Sequence, residues 1–342
     1  MDLSYAYANA RIKAMKSKLL DANTIREMMD VGTIEEVIEI LEESPYKKAF
    51  VDCSTRYKGL TLVAKALHQD GVEMRRTIMK FLPRDALPAY RTDMREWAIR
   101  DIKHVVSEKA LGREQPAMDG MMLIDKGEAP LLRAMIEANG AEGAIAVLER
   151  SKYAPALAPA REEYAKTKDF RVLLDALDRN YYMELAKLAK STRDSQARTI
   201  IKLRISFGNT MTILRMKRDG LSEEATSAKL LPGGNAAWER RLLDCKDYAA
   251  CVAMVRDRHG VDEKIAAKAL EGKLSALEVE LDRKRMESML RASRISMLSF
   301  GAILGFIYLK NAEVDSIRKI AYGTVFGLKD EMRGMVFAAG GA

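Results

Sequence analysis

The sequence has few of the residues from which active sites and disulfide frameworks are built. Among 342 residues there are 3 histidines, 3 cysteines and 8 prolines, and aromatic residues make up 6%. His68, His104 and His259 lie far apart, and no HExxH, GxSxG, GxxxxGK[ST] or GxGxxG motif occurs. We therefore expect a non-catalytic protein with no catalytic residue, no cofactor and no metal ion. An enzyme with a scattered active site is the open alternative.

The few cysteines also indicate a compartment. Cys53, Cys245 and Cys251 are odd in number, and five residues separate the last two, against about two to four at common zinc sites. The first residues, MDLSYAYANARIKAMKSK, lack the apolar core of a secretory signal. We interpret the cysteines as reduced thiols of a cytoplasmic protein.

One apolar stretch without charges, ISMLSFGAILGFIYL at residues 295–309, could be mistaken for a membrane span. As a helix its 15 residues would be roughly 22 Å long, shorter than the roughly 30 Å of a bilayer core. Gly301 and Gly305 have the small-xxx-small spacing that lets helices approach closely. We predict a helix buried in the protein core, with a membrane-contacting segment as the alternative.

The residues that are abundant favour helix. Ala, Leu, Met, Lys, Arg and Glu dominate, and long alternating runs of Val, Ile and Thr are missing. Capping-box patterns at Thr24 with Glu27, Thr33 with Glu36 and Ser275 with Glu278 predict helix starts. The fold class that we predict is all-α, with a chain long enough for two or three domains.

The chain also repeats itself. ESPYKKAF, from Glu43, and RSKYAPAL, from Arg150, are 107 residues apart, and each follows a helical apolar stripe. DYAACVAMVRD contains a weaker third copy. Helical patterns end at Gly112, Gly220 and Gly327, at spacings of 108 and 107 residues, because glycine adopts the left-handed conformation without a Cβ penalty. We predict three similar helical-bundle domains over residues 1–112, 113–220 and 221–342.

Charge is unevenly distributed along the chain. The 57 basic residues exceed the 49 acidic ones by 8. Residues 189–218 contain eight basic residues and one acidic residue, and RKRMESMLRASR forms a second basic cluster at 283–294. Such clusters attract nucleic acid, anionic lipid or an acidic protein surface, whereas solubility and internal pairing are the plainer explanation. Aromatic residues are not interleaved, which favours a protein partner or a membrane-proximal location over nucleic acid.

Three segments resemble the C subunit of archaeal-type (A-type) ATP synthases, the relative of the d subunit in vacuolar ATPases. They are YAYANARIKAMKSKLL at 5–20, NTMTILRMKRDGL at 209–221, and NAEVDSIRKIAYGTVFGL at 311–328 followed by Met332-Arg333. The last is the most specific and carries the family pattern at Asn311, Glu313, Val314, Arg318, Gly323, Gly327 and Leu328. Ala312 departs from the pattern, because the family often has Asn and Glu adjacent. The resemblance runs from end to end.

The resemblance implies three helical domains arranged as a funnel or socket. It implies a rotor subunit of the central stalk, peripheral to the cytoplasmic face of the cell membrane. Its partners would be the shaft subunits of the D and F type and the membrane rotor ring of the c or K type, with no nucleic acid. The protein would couple proton or sodium transport to ATP synthesis without being catalytic itself. A soluble helical scaffold or a basic nucleic-acid-binding regulator is the alternative.

The candidate residues for the ring or shaft interface come from the two basic clusters and the last motif. We expect the clusters to face polar loops of the ring or anionic headgroups. The candidates are Arg204, Arg215, Lys217, Arg218, Arg283, Lys284, Arg285, Glu313 and Arg318. For Glu313 and Arg318 the alternative is an ion pair on the helix surface or between domains.

Overall fold

The structure, a computed structural model, describes residues 4–112, 118, 121, 126–295 and 298–337 and contains no strand within them. The first third holds α1 (Ser4–Lys16), α2 (Ala22–Asp30), α3 (Ile34–Glu42), α4 (Lys47–Ser54), α5 (Gly59–Phe81) and α6 (Ala86–Ala110). The second holds α7 (Ala129–Glu137), α8 (Gly140–Glu149), α9 (Ala154–Leu157), α10 (Arg161–Thr167), α11 (Phe170–Ser191) and α12 (Ser195–Arg218), with 3₁₀ turns at Lys126–Glu128 and Ala158–Ala160. The last holds α13 (Glu223–Lys229), α14 (Ala236–Leu243), α15 (Tyr248–His259), α16 (Glu263–Leu270), α17 (Leu274–Ser293), α18 (Phe300–Phe326) and α19 (Lys329–Arg333). The predicted all-α class is confirmed.

Long helices occur in consecutive pairs. α5 and α6 have 23 and 25 residues, α11 and α12 have 22 and 24, and α17 and α18 have 20 and 27. Each pair follows a group of shorter helices. The molecule is therefore built from three groups of short helices, each followed by two long helices that are consecutive in the chain.

A central apolar cluster joins five of the six long helices near the turns that link consecutive long helices. It combines α1 with the end of α5, the starts of α6, α12 and α18, and the end of α17. The cluster consists of Ala8, Ile12, Met74, Ile78, Leu82, Ala86, Tyr90, Met94, Ala197, Ile200, Met289, Ala292, Phe300, Ile303, Leu304, Phe306 and Ile307. Burial of so many apolar side chains supplies the main driving force for holding the long helices together.

The second halves of α6, α12 and α18 leave the central cluster and pack in three outer clusters. α6 contributes residues 99–106 to an outer cluster with the short helices α7–α9 and with α11. α12 contributes Phe207, Ile213 and Leu214 to a cluster with α14–α17. α18 contributes Ile317, Ile320 and Ala321 to a cluster with α2–α5. The second halves of α6 and α12 thus pack on the short helices that follow them, and α18 closes the circle on the first ones.

The two copies of the motif around Tyr46 and Tyr153 form the same hydrogen bonds. Ser44 Oγ donates to the Leu41 carbonyl at 2.6 Å and accepts from the Tyr46 amide at 3.1 Å. Ser151 makes the corresponding bonds to Leu148 and Tyr153, also at 2.6 and 3.1 Å. The repeated residues therefore specify one local structure twice, while the division into three domains at residues 112 and 220 stays a prediction.

The apolar stretch at 295–309 lies largely in the first turns of α18, which begins at Phe300 after a Ser299 cap; residues 296 and 297 lie outside the described residues. Its buried residues confirm the predicted core helix. A Cβ on Gly301 would lie 2.5 Å from Gln196 Cβ, and one on Gly305 would lie 2.3 Å from Ser293 Cβ. The glycine pair thus allows the predicted close approach. No helix of the described chain is long and apolar enough to cross a membrane.

Candidate functional site: a basic central cavity

A cavity of about 400 Å³ opens between the long helices. Its wall is formed by α5, α6, α12, α17, α18 and residues 334–337. Eight basic side chains line it, namely Arg75, Arg100, Arg204, Arg283, Arg285, Lys310, Arg318 and Lys319. Glu96, Asp282 and Asp315 are its acidic lining residues. The cavity is therefore strongly basic, although several of its cations have carboxylate partners.

Arg204 is the most enclosed of the paired cations. Its guanidinium donates to Asp93 Oδ1 at 3.2 Å and to the Tyr308 hydroxyl at 3.2 Å, and it pairs with Glu96 at 2.7 Å. The ring centroids of Tyr181, Tyr182 and Tyr308 lie within 5.8 Å of it. Burial raises the pKa of Asp93, and the Arg204 charge opposes that rise. Arg204 therefore ties α12 to α6 and α18 in the interior.

Arg75 on α5 is a buried cation of a different kind from Arg204, because its hydrogen-bond partners are not carboxylates. Its side chain is 2% exposed and lies 4.5 Å from the Trp97 ring centroid. It donates to the Gly71 carbonyl at 2.9 Å and to the Asn311 side chain. Burial lowers the pKa of Arg75. No carboxylate pairs with it among the described residues. Arg100 also lies 4.5 Å from the Trp97 ring centroid, so two guanidinium groups stack on one indole.

Lys310 and Glu313 form a buried cluster beside the cavity. Lys310 Nζ lies 3.2 Å from Asp70, 3.1 Å from Glu313 and 3.9 Å from the Tyr46 ring centroid. Glu313 accepts from the Tyr46 hydroxyl at 2.7 Å and from the Leu20 amide at 2.5 Å. Burial, with the Glu313 charge, raises the pKa of Tyr46. Glu313 thus ties α18 to the first short helices.

Arg318 lies farther along α18 and is half-buried. It forms no ion pair or hydrogen bond within the described chain, whereas its neighbour Lys319 pairs with Asp315 at 2.7 Å and donates to the Met335 carbonyl at 3.2 Å. An ion pair between Glu313 and Arg318 is not formed, because Glu313 turns inward to Lys310. Arg318 keeps an unpaired charge at the cavity wall.

The second basic cluster, on α17, is largely paired with its own helix. Arg283 pairs with Glu280 and Glu287, Lys284 lies 3.7 Å from Glu280, and Arg285 lies 3.1 Å from Asp282. Arg283 and Arg285 line the cavity, whereas Lys284 does not. Neighbouring carboxylates thus neutralise these cations, which agrees with internal pairing as the explanation of the basic cluster.

Arg215, Lys217 and Arg218 lie at the far end of α12, away from the cavity lining. Arg215 pairs with Glu278 of α17 at 2.8 Å, and Arg218 pairs with Asp219 at 2.8 Å. Lys217 donates to the Cys245 carbonyl at 2.7 Å. These three side chains, which we call the basic end of α12, each contact a group of the same chain.

The last motif also ends in an exposed apolar patch. Tyr322 and Phe326 are 50% and 61% exposed, and their rings stack with centroids 6.0 Å apart. Val325 and Leu328 are also exposed near the end of the helix. The motif therefore lines the cavity with its first half and presents aromatic surface at its end.

The structure thus brings together four of the predicted interface residues, Arg204, Arg283, Arg285 and Arg318, in one cavity. Arg204 and Glu313 lie in the interior rather than on an exposed interface, because their charges are matched by buried partners. Sequence reasoning missed Arg75, Trp97 and Arg100. The spacing of three residues between Trp97 and Arg100 on one helix is the signal that could have indicated their contact.

Within the part of the chain that the structure describes, the cysteines and the acidic side chains form no second candidate site. The three cysteines, all within the described residues, are free and buried. Burial and the neighbouring Cys245 raise the pKa of Cys251 to about 12, which keeps its thiol unreactive. Among the described residues, no His, Cys, Asp or Glu side chains are grouped so that they could hold a metal ion.

Comparison with known proteins finds similarity to one family over nearly the whole chain. The family model described as "ATP synthase (C/AC39) subunit" matches residues 8–335. The C subunit of the A-type ATP synthase of Thermococcus kodakarensis is 28% identical in an alignment that covers 96% of this chain and 88% of the relative. The corresponding C subunit of Methanocaldococcus jannaschii is 25% identical in an alignment that covers 96% of this chain and 84% of the relative.

Proposed function

This chain belongs to the ATP synthase (C/AC39) subunit family, and from that premise we propose that it is the non-catalytic central-stalk subunit joining the shaft to the membrane rotor ring. The observation that carries the proposal is the central cavity, whose wall combines five long helices from all three pairs of long helices. A shaft seated there contacts at least one helix of each pair. Torque then passes into all three pairs rather than into one loop.

A torque-bearing subunit needs stiffness between its parts. The circular packing of α6, α12 and α18 provides it, because each of these three helices is anchored in the central cluster and in at least one outer cluster. Well-packed interiors deform little under load. The ties at Arg204 and Glu313 add directional bonds between helices that are distant in sequence.

We place the ring contact on the exposed ends of the long helices. The basic end of α12 with Arg215, Lys217 and Arg218 suits polar ring loops or anionic headgroups, which attract exposed cations. The patch at Tyr322 and Phe326 supplies apolar contact area. In this arrangement the protein is peripheral to the cytoplasmic face of the membrane, with the D- and F-type shaft subunits and the c- or K-type ring as its partners.

The direct test is native mass spectrometry of the protein extracted gently from membranes of its own cell. We expect one assembly that contains the chain, shaft subunits, ring subunits and the nucleotide-binding head. Recovery of the chain alone, or with nucleic acid from the soluble fraction, would overturn the proposed function.

A further inference from the structure

The cations of the central cavity separate into paired and unpaired groups. Arg204, Arg283, Arg285, Lys310 and Lys319 each pair with a carboxylate of this chain. Arg100 lies 4.0 Å from Glu96, which Arg204 also engages at 2.7 Å. Arg75 and Arg318 have no carboxylate partner among the described residues. The excess positive charge of the cavity is therefore concentrated on Arg75 and Arg318, with Arg100 beside them.

Of the two unpaired cations, Arg75 carries the charge that is more unfavourable to bury. A buried guanidinium without a counter-charge is unfavourable, because the cavity wall solvates it less well than water does. Its Nε is buried and has no hydrogen-bond partner within the described chain. Asp93 and Glu96 favour its charge only from a distance. Arg75 is thus held in place by Trp97 and Asn311 as an uncompensated positive charge behind the cavity wall.

We propose that Arg318 binds a carboxylate side chain of the shaft segment that enters the cavity, while the buried Arg75 adds positive potential from behind the wall. The inference rests on the proposed function, which places a protein segment there, and adds the chemistry by which that segment is recognised. Guanidinium groups present paired donors that match a carboxylate. The stacked Arg100 and Trp97 offer a flat cationic wall for the rest of the segment. The foot of the shaft is therefore acidic where it contacts α18.

The test is titration of the purified protein with the purified D–F shaft complex of the same cell at several KCl concentrations. We expect Arg318→Glu to weaken binding at least about tenfold, because it replaces an attractive charge with a repulsive one in a partly desolvated site. Arg318→Gln should weaken binding less and reduce its salt dependence. Arg100→Glu, at a more exposed cation of the same wall, should weaken binding in the same direction.

The matched control is Arg133→Glu, an identical charge reversal at an exposed residue of α7 outside the cavity, and it should change the affinity less than about twofold. Circular dichroism of every variant tests whether the fold is retained. Shaft binding that R318E and R100E leave unchanged overturns this inference and leaves the proposed function standing. Failure of the shaft to bind the unaltered protein overturns both. If ATP or inorganic phosphate binds tightly through Arg318 and the shaft does not bind, the site belongs to a free anion. This inference is then overturned as well.

Discussion

At the scale of single residues, Arg204 joins three long helices that are far apart in sequence. Its guanidinium, 8% exposed, contacts Asp93 of α6 and Tyr308 of α18 from its place on α12. Buried ions are tolerated only when their charges and hydrogen bonds are matched. The cluster therefore favours one relative position of the three helices, which is what a subunit under torque requires.

We expect Arg204→Met to destabilise the protein by about 3 to 5 kcal/mol, because it leaves Asp93 buried without its cation and Glu96 with only Arg100, 4.0 Å away. Denaturant unfolding followed by circular dichroism measures this free energy. Adding Asp93→Asn to Arg204→Met should recover part of the loss, since it removes the orphaned charge. Arg133→Met at the surface is the control. If Arg204→Met proves no worse than Arg133→Met, the cluster does not hold the helices.

His259 makes the stability depend on pH. Burial, with the charges of Arg258 and Lys284, lowers its pKa from 6.5 to about 4. The side chain packs as a neutral ring beside Phe207 and Trp238, at centroid distances of 4.7 and 5.9 Å. The unfolded chain therefore takes up a proton before the folded protein does. The stabilisation is fully present above pH 6.5 and is lost as the pH falls towards 4.

For this reason we expect His259→Phe to flatten the decline of the unfolding free energy between pH 7 and 4.5. The full linkage of such a pKa difference is about 3 kcal/mol, and partial exposure of the ring reduces it to about 1 to 2 kcal/mol. Thermal unfolding across the pH series measures the effect, with His104→Gln at an exposed histidine as control. Parallel pH profiles for His259→Phe and the unaltered protein would refute the linkage.

At the scale of helices, the structure contains the three helix ends that were predicted from glycine residues in the sequence. Gly112, Gly220 and Gly327 have φ angles of 63°, 70° and 69°, in the left-handed region. Glycine tolerates this conformation because it has no Cβ, so a single residue type indicates where the helix stops. Local chemistry of this kind can be predicted from sequence.

Helix starts were predicted less well, because several capping residues compete. The Thr33–Glu36 capping box is present, whereas α2 is capped by Asp21, which accepts from the Thr24 amide at 2.8 Å. Thr24 therefore lies inside the helix, and the predicted box with Glu27 is wrong. The box at Ser275 is also wrong, because α17 begins at Leu274. A short stretch of sequence does not reveal which of two nearby polar side chains takes the cap.

The contact between α17 and α18 gives a prediction for glycine. We expect Gly305→Ala to destabilise the protein by about 1 to 2 kcal/mol, because overpacking outweighs the gain in helix propensity. The new Cβ would lie 2.3 Å from Ser293 Cβ. Thermal unfolding measures the loss, and Ser293→Gly combined with Gly305→Ala should recover it by removing the obstructing atoms.

The matched control is Gly208→Ala in the interior of α12, where the added Cβ would meet only Leu231 Cδ1 at 3.8 Å. It should be neutral or stabilise the protein by up to about 1 kcal/mol. Equal melting temperatures for Gly305→Ala and Gly208→Ala would show that α17 and α18 are not in close contact at Ser293.

At the scale of the whole molecule, the closure of the chain on itself was beyond sequence reasoning. The offset of 107 residues predicted similar units, but it did not indicate that α18 would pack on α2–α5 at the other end of the chain. The central cavity was missed for the same reason, because its wall is formed by helices that are distant in sequence. Arg75, Trp97 and Arg318 come from three helices, and only Arg318 was selected, through its motif. Counting charges along the sequence selected the dense clusters and passed over the isolated Arg75 and Arg100.

The basic end of α12 gives the last prediction. Replacing Arg215, Lys217 and Arg218 with glutamine (R215Q/K217Q/R218Q) should weaken attachment of the protein to ring-containing membranes, most strongly at low salt, where charges are least screened. The ion pairs of Arg215 and Arg218 are exposed and weak, which leaves their charges available to an anionic surface. Co-sedimentation with membranes that have been stripped of the soluble head measures the attachment.

The control variant K47Q/R56Q/K58Q removes the same three charges from exposed positions around α4. Both variants lower the formal net charge from +8 to +5, since each removes three positive charges, so a general electrostatic effect would weaken both equally. A specific contact at the end of α12 should affect R215Q/K217Q/R218Q alone. Unchanged co-sedimentation of that variant at every salt concentration would move the ring contact away from the basic end of α12, and the apolar patch at Tyr322 and Phe326 would then be the surface to alter next.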